Sequence, residues 1–306
     1  MGLFSGIARW FAPPVSDAGL AAASVRAVDA VDPSLKAVAG WERRLGPAVA
    51  VALAHCEALA ADIPGPLDID VAAFASDPLV HAIFAAPEDI AAMLGRSRAV
   101  RAWFDAGTDV GTDEFFGLLG MRRREKAVSG IAVRGEVVQH GVAQRLLYFT
   151  DHTLDRLAPG HAAMRDLLRD AAFDGIAGGF AAELARRRAQ RDDARIAASL
   201  ERTPGGAAAR ALATAIAELT PEAVLAAFAE WLAAAPRHLY LKPSETSVDL
   251  MGVIRDAPDP EATTLALPEL VGRDRRHWLV VVVRVRREDA AEALRRREEA
   301  NRYLLI

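Results

Sequence analysis

Three groups of residues have the types and spacing to do chemistry. Thr150-Asp151-His152-Thr153 follows the apolar run Leu146 to Phe149, so a carboxylate and an imidazole stand side by side at the end of an expected strand. His140, with Glu136 near it, falls in the preceding expected turn and on the same rim. A carboxylate and an imidazole within reach of one substrate are the parts of general acid–base catalysis. His140, Asp151 and His152 are therefore the candidate catalytic residues of a hydrolase or ligand-binding enzyme. Asp and Thr are equally ordinary turn and cap residues, because their side chains bond nearby backbone amides.

The second group is the run Met121-Arg122-Arg123-Arg124-Glu125-Lys126. Arg122, Arg123, Arg124 and Lys126 can clamp an anion, since guanidinium forks match phosphate oxygens. Placed at the end of a helix, the same cations would simply complement the helix dipole. The third group is Arg186-Arg187-Arg188 with Arg191 and Arg195. Glu183, Asp192 and Asp193 are interspersed at spacings that permit helix-surface ion pairs, which fits a solvated helix better than a nucleic-acid stripe.

Other signatures are missing from the sequence. It has no GxGxxG after a strand, no phosphate-binding loop, no GxSxG elbow and no HExxH pair. The seven histidines stand at 55, 81, 140, 152, 161, 238 and 277, and no two share a helix face at ligand spacing. The expectation is no metal and no cofactor. Cys56 is the only cysteine, so it forms no internal disulfide and a reducing compartment is the simpler inference. Next to His55 on a helix it points about 100° away from that ring, which reads as a buried, inert thiol.

Composition bounds the rest. Hydrophobic residues make up 52% of the 306 and charged residues 25%, the balance of a globular chain with a sizeable core. Arg outnumbers Lys 34 to 3, which reads as a GC-rich, bacterial codon bias and weakens any argument from an Arg-rich stretch alone. With a net charge of −4, wholesale nucleic-acid binding is not expected. Charge is uneven: residues 45–95 contain no Lys or Arg, whereas residues 273–302 contain ten Arg against six acidic residues. No uninterrupted apolar run reaches the length of a membrane span. The start, MGLFSGIARWFAPP, lacks the charged leader and long apolar core of a signal peptide. A cytoplasmic location is expected. That start does carry an apolar helical stripe, Leu3, Phe4, Ile7, Trp10 and Phe11, closed by Pro13-Pro14. These are candidate partner-binding residues; docking on the protein's own core, on a membrane surface or in a partner's groove all stay open.

The elements that position these groups follow from pattern. Short helices are expected through residue 127, with starts at Asp32-Pro33, Asp77-Pro78 and Pro87-Glu88-Asp89 and a C-cap at Gly95. Ser97 caps a helix carrying Trp103 and Phe104. Thr112 caps one carrying Phe115, Phe116, Leu118, Leu119 and Met121. From Val128 to Thr150, β-branched residues and glycines predict a hairpin or meander with turns near Arg134-Gly135-Glu136 and His140-Gly141. A long helix from His161 to Glu201 follows, broken or closely packed at Gly175, Gly178 and Gly179. After the turn Thr203-Pro204-Gly205-Gly206, Ala207 to Leu219 returns as a second arm, and Thr220-Pro221 opens another helix. Strands are expected at His238–Lys242, Ser247–Arg255, Thr263–Leu267 and Trp278–Arg286. The apolar run Trp278 to Val283 lacks alternation and should be central. A helix from Glu288 ends in Tyr303-Leu304-Leu305-Ile306.

The fold class expected is α+β: a helix-rich N-terminal part, a small β-hairpin or meander, a long helical hairpin, and a C-terminal, mainly antiparallel sheet with a terminal helix. The expected division is a helical domain over 1–236, with the β-hairpin (128–150) and helical hairpin (161–219) inserted, and a small α+β domain over 237–306. The leading function class is a non-enzymatic interaction or scaffold protein with a protein partner or a second copy of itself. The alternatives are the enzyme built on Asp151, His152 and His140, and a binder of a phosphate-rich ligand or nucleic acid through the Arg clusters.

Overall fold

The computed structural model describes residues 17–107, 111–134, 137–201, 205–255, 259, 262–273 and 276–303. The candidate residues Leu3, Phe4, Ile7, Trp10 and Phe11, the Gly135-Glu136 turn, and the tail from Leu304 lie outside them. In chain order the elements are α1 (Asp17–Val31), α2 (Trp41–Asp62), β1 (Leu67–Asp68), α3 (Val71–Ser76), α4 (Pro78–Ile83), α5 (Pro87–Arg96) and α6 (Arg98–Asp105). There follow β2 (Glu114–Arg134), β3 (Val137–Ala158), α7 (His161–Leu200), α8 (Ala207–Glu218), α9 (Pro221–Ala233), β4 (Tyr240–Lys242), β5 (Glu245–Val248), β6 (Thr263–Ala266), β7 (Glu269–Val271), β8 (His277–Arg286) and α10 (Arg287–Tyr303). The fold is α+β, with a helix-rich N-terminal part, a long helix and a C-terminal antiparallel sheet closed by a helix.

The chain divides into two compact units, each made of two segments: Met1–Ala60 with Leu168–Tyr240, and Ala61–Leu167 with Leu241–Ile306. The first unit is helical. Its buried residues on α2, including Leu45, Ala48, Val49, Ala52, Leu53 and Cys56, recur at three and four and so form one face. By length and composition α2 is apolar enough to cross a membrane, although no uninterrupted apolar run signals it. α8 and α9 pass the same test together but are bent by 69°. Phe180 on α7 stacks on Phe228 of α9 at 4.9 Å, and Trp231 Nε1 donates to the Ile176 carbonyl at 2.9 Å. The glycines of α7 do not break it; a side chain at Gly179 would meet the Trp231 ring at 3.2 Å, so close packing explains that glycine.

The second unit is a six-stranded sheet with helices. Its order is β3-β2-β8-β7-β4, and β1 also pairs with β8, in parallel. β8 is therefore central, flanked by β2 along one side and by β1 and β7 on the other. Leu279 to Val283 are all buried, as the missing alternation predicts. The capping signals hold: Asp32, Asp77 and Ser97 accept from the backbone amides of Ser34, Leu79 and Val100. Gly95 is not a cap. It sits inside α5, where a Cβ would lie 2.7 Å from the Ala293 carbonyl oxygen, so it lets α10 approach.

The largest departure from expectation is at residues 112–127, where a helix was expected and a strand runs. Phe115, Phe116, Leu119 and Met121 have helix-like spacing, but Gly117 and Gly120 weaken a helix by about 1 kcal/mol each. The segment instead pairs Glu114–Met121 with Leu279–Arg286 of β8. A tertiary partner thus overrides a local period. The hairpin is correspondingly long, with strands of 21 and 22 residues rather than the expected 128–150.

Candidate functional site

The geometry of the site begins with three register shifts between β2 and β3. In each, β3 carries one extra residue: Arg156 with Leu157 opposite Gly117, Asp151 with His152 opposite Met121, and Gly141 near Ile131. Each coincides with a left-handed backbone: Arg156 at φ 55°, Asp151 at φ 58° and Gly141 at φ 76°. An extra residue in a left-handed conformation makes a β-bulge, which bends the strand and re-aims its side chains. So His140-Gly141 is a bulge and not a turn, and Asp151-His152 lies within β3 and not beyond its end. β-Branched and aromatic residues on both sides carry the strand through these irregularities.

The bulge at Asp151 turns His152 inward. Its Nε2–H donates to the Ile83 carbonyl at 2.9 Å, and its ring stacks on Phe84 at 5.0 Å. A carbonyl only accepts, so the proton sits on Nε2 and Nδ1 is the acceptor. Burial, the largest influence, pushes the imidazole below its ordinary pKa, against the opposing pull of the Ile83 hydrogen bond and of Asp89 and Asp151. A cavity of about 720 Å³ is lined by His152, Asp151, Asp89, Arg96, Ser97 and Arg98, among others. Asp151 and His152 thus share one concavity with two guanidinium groups. His140 does not line it; it is exposed on the outer hairpin, roughly 40 Å of strand from His152 at 3.3 Å per residue. The two hydroxyls that line the cavity are committed: Ser97 Oγ donates to the Leu154 carbonyl at 3.2 Å, and Thr153 Oγ1 to that of Asp151 at 3.0 Å. Thr150 Oγ1 is buried without a partner among the described residues but does not line the cavity. The cavity therefore holds a base and cations but no hydroxyl nucleophile oriented by that base.

A second concavity, of about 660 Å³, opens where β2 outruns its partner. The last β2–β8 pair is Met121 with Leu279, and β8 begins at His277. Arg122, Arg123 and Arg124 line the cleft together with Arg276, His277 and the carboxylates Glu125 and Glu269. The expected clamp residues Arg122, Arg123 and Arg124 are thus brought together, but on a strand and not at a helix end. Lys126 is exposed further along β2 and does not line the cleft. The guanidinium of Arg122 lies 4.8 Å from the Trp278 ring centroid, and its Nε is 3.6 Å from Asp151. Arg123 is held by Glu125 at 2.6 Å and by Thr246 Oγ1 at 2.6 Å. Trp278, Glu269, Arg276 and His277 escaped the sequence reading. Their only signal was a cluster of polar residues at the mouth of an apolar strand.

In the first unit the Arg-rich run of α7 is ion-paired at Arg186, Arg187, Arg188 and Arg191, and Arg195 has no ion pair with a described residue. Glu183, itself buried, accepts from Arg186 and Arg187; Arg188 pairs with Asp32 and Arg191 with Asp192. Cys56 is fully buried, and desolvation first, then Asp170 and Asp174, push its thiol up to about 12. His55 turns away to the Leu239 carbonyl, 2.7 Å from Nε2, so no imidazole activates the thiol. Among the described residues no group of three or more His, Cys, Asp or Glu could hold a metal ion. No family model, curated protein or solved structure matches the chain.

Proposed function

We propose that the protein is a partner-binding module whose contact surface is the arm formed by the end of α7 and by α8. One observation carries this reading: among the described residues between Ala185 and Ala223, none is buried. Ile196, Leu200 and Ile216 are 61%, 77% and 52% exposed on that arm. A twelve-residue helix with no fully buried residue is marginal in water, because helices in proteins draw most of their stability from packing. The exposed aliphatic side chains supply what a second protein chain would cover, and two helices separated by six residues of sequence are a ready unit for bundle-type association. A second copy of this chain is the simplest such partner.

The test is sedimentation velocity of the full chain beside the double variant Ile196→Glu, Leu200→Glu. The expected result is an associated parent, or one that co-purifies with a partner, and a monomeric variant with unchanged helical circular dichroism. A parent that is monomeric at high concentration and free of co-purifying protein would remove the support for this reading. The two carboxylate substitutions fall on exposed positions, so folding should survive them.

A further inference from the structure

We propose that the cleft where β2 outruns β8 binds a small polyanionic oxyacid, a phosphate ester or polycarboxylate, held by Arg122, Arg124 and Arg276. The cleft has the volume of a small-molecule site, about 660 Å³. Among the described residues, four guanidinium groups line it against two carboxylates. Both carboxylates already have cations of their own. Glu125 takes Arg123 at 2.6 Å and Arg145 at 3.3 Å. Glu269 takes His277 Nδ1 at 2.7 Å and Lys242 at 3.7 Å. The positive charge of Arg122 and Arg124 is therefore not cancelled by the acidic residues beside them. Arg124 makes no ion pair with any described residue, and Arg122 pairs at 3.6 Å with Asp151, which is half exposed and outside the cleft lining.

Arg122 is also oriented in advance. Arg122 rests on the Trp278 ring, a cation–π contact that orients its plane. The bulge opposite Met121 bends the sheet where β2 runs past the end of β8, one residue before Arg122, which stays paired with Thr150 of β3. A guanidinium ordered in this way loses less freedom when an anion arrives, and the paired N–H groups of each arginine match two oxygens at once. The site favours a small ligand over nucleic acid. The net charge of the chain is −4, and on α7 Arg186, Arg187, Arg188 and Arg191 are already ion-paired.

Isothermal titration of the full chain with inorganic pyrophosphate and, separately, citrate tests the proposal. Binding should weaken as salt rises from about 50 to 200 mM, as charge neutralisation requires. Arg124→Ala should lower affinity about tenfold or more, while Lys126→Ala, on the same strand outside the cleft, should leave it unchanged. Arg124 is exposed, and Arg276→Ala serves as a second variant with the same expectation. Preference for pyrophosphate assigns the phosphate class and preference for citrate the carboxylate class; either supports the site. Absence of binding by both probes at millimolar concentration overturns it. So does equal loss in the Lys126 variant, or Arg124-dependent binding of a DNA duplex that is tighter than either probe. The outcome is independent of the helical arm, which shares no residue with the cleft.

Discussion

The imidazole of His152 donates its Nε2 proton to the Ile83 carbonyl across 2.9 Å, joining the bulge of β3 to the end of α4. This hydrogen bond fixes the neutral tautomer, while burial first and then Arg96 disfavour the charged form. His152 should therefore titrate below the ordinary histidine range of about 6.5. The folded state resists the proton more than the unfolded chain does. The unfolded chain takes it up first as pH falls, so the contribution of His152 is complete above about 6.5 and is lost as pH drops through that value. Histidine NMR should give a midpoint below the ordinary one, and His152→Gln should flatten the acid side of the stability curve. A midpoint at or above the ordinary value would contradict the geometry.

Arg156 holds a left-handed backbone at φ 55° in an exposed bulge, and its ion pair with Asp155 is long, 3.9 Å. A non-glycine residue there costs about 1–2 kcal/mol. Glycine removes that strain but gives back about 0.5–1 kcal/mol through the freer unfolded chain. Arg156→Gly should thus stabilise by roughly 0.5–1 kcal/mol in urea denaturation. A destabilised variant would mean that the bulge depends on the arginine side chain.

Val281 is 1% exposed at the centre of β8, between Leu119 of β2 and the other side of the sheet. A carboxylate placed there has neither water nor a partner. Val281→Asp should cost more than about 4 kcal/mol, enough to remove the cooperative unfolding of the sheet unit. An unchanged melting temperature would deny β8 its central place.

Much of this structure is local and was legible in the chain. Asp77, Ser97 and Thr220 cap helices because a short polar side chain before a helical run bonds the orphaned amides, whatever surrounds it. The uninterrupted apolar run of β8 announced a strand covered on both faces, and the lone Cys56 beside a diverging His55 announced an inert thiol. What only the tertiary structure decided are the features that depend on a distant partner. Phe115 to Met121 is a strand because β8, more than 150 residues away, offers it a ladder. Asp151 and His152 share a cavity because β3 holds an extra residue there, and an extra residue is invisible until the strand has a neighbour to be out of register with. Arg122 and Arg124 meet Arg276 because β8 begins where β2 continues. The exposure of Ile196 and Leu200 is likewise undetermined by their spacing, since a helical stripe specifies that a face can be covered and not what covers it.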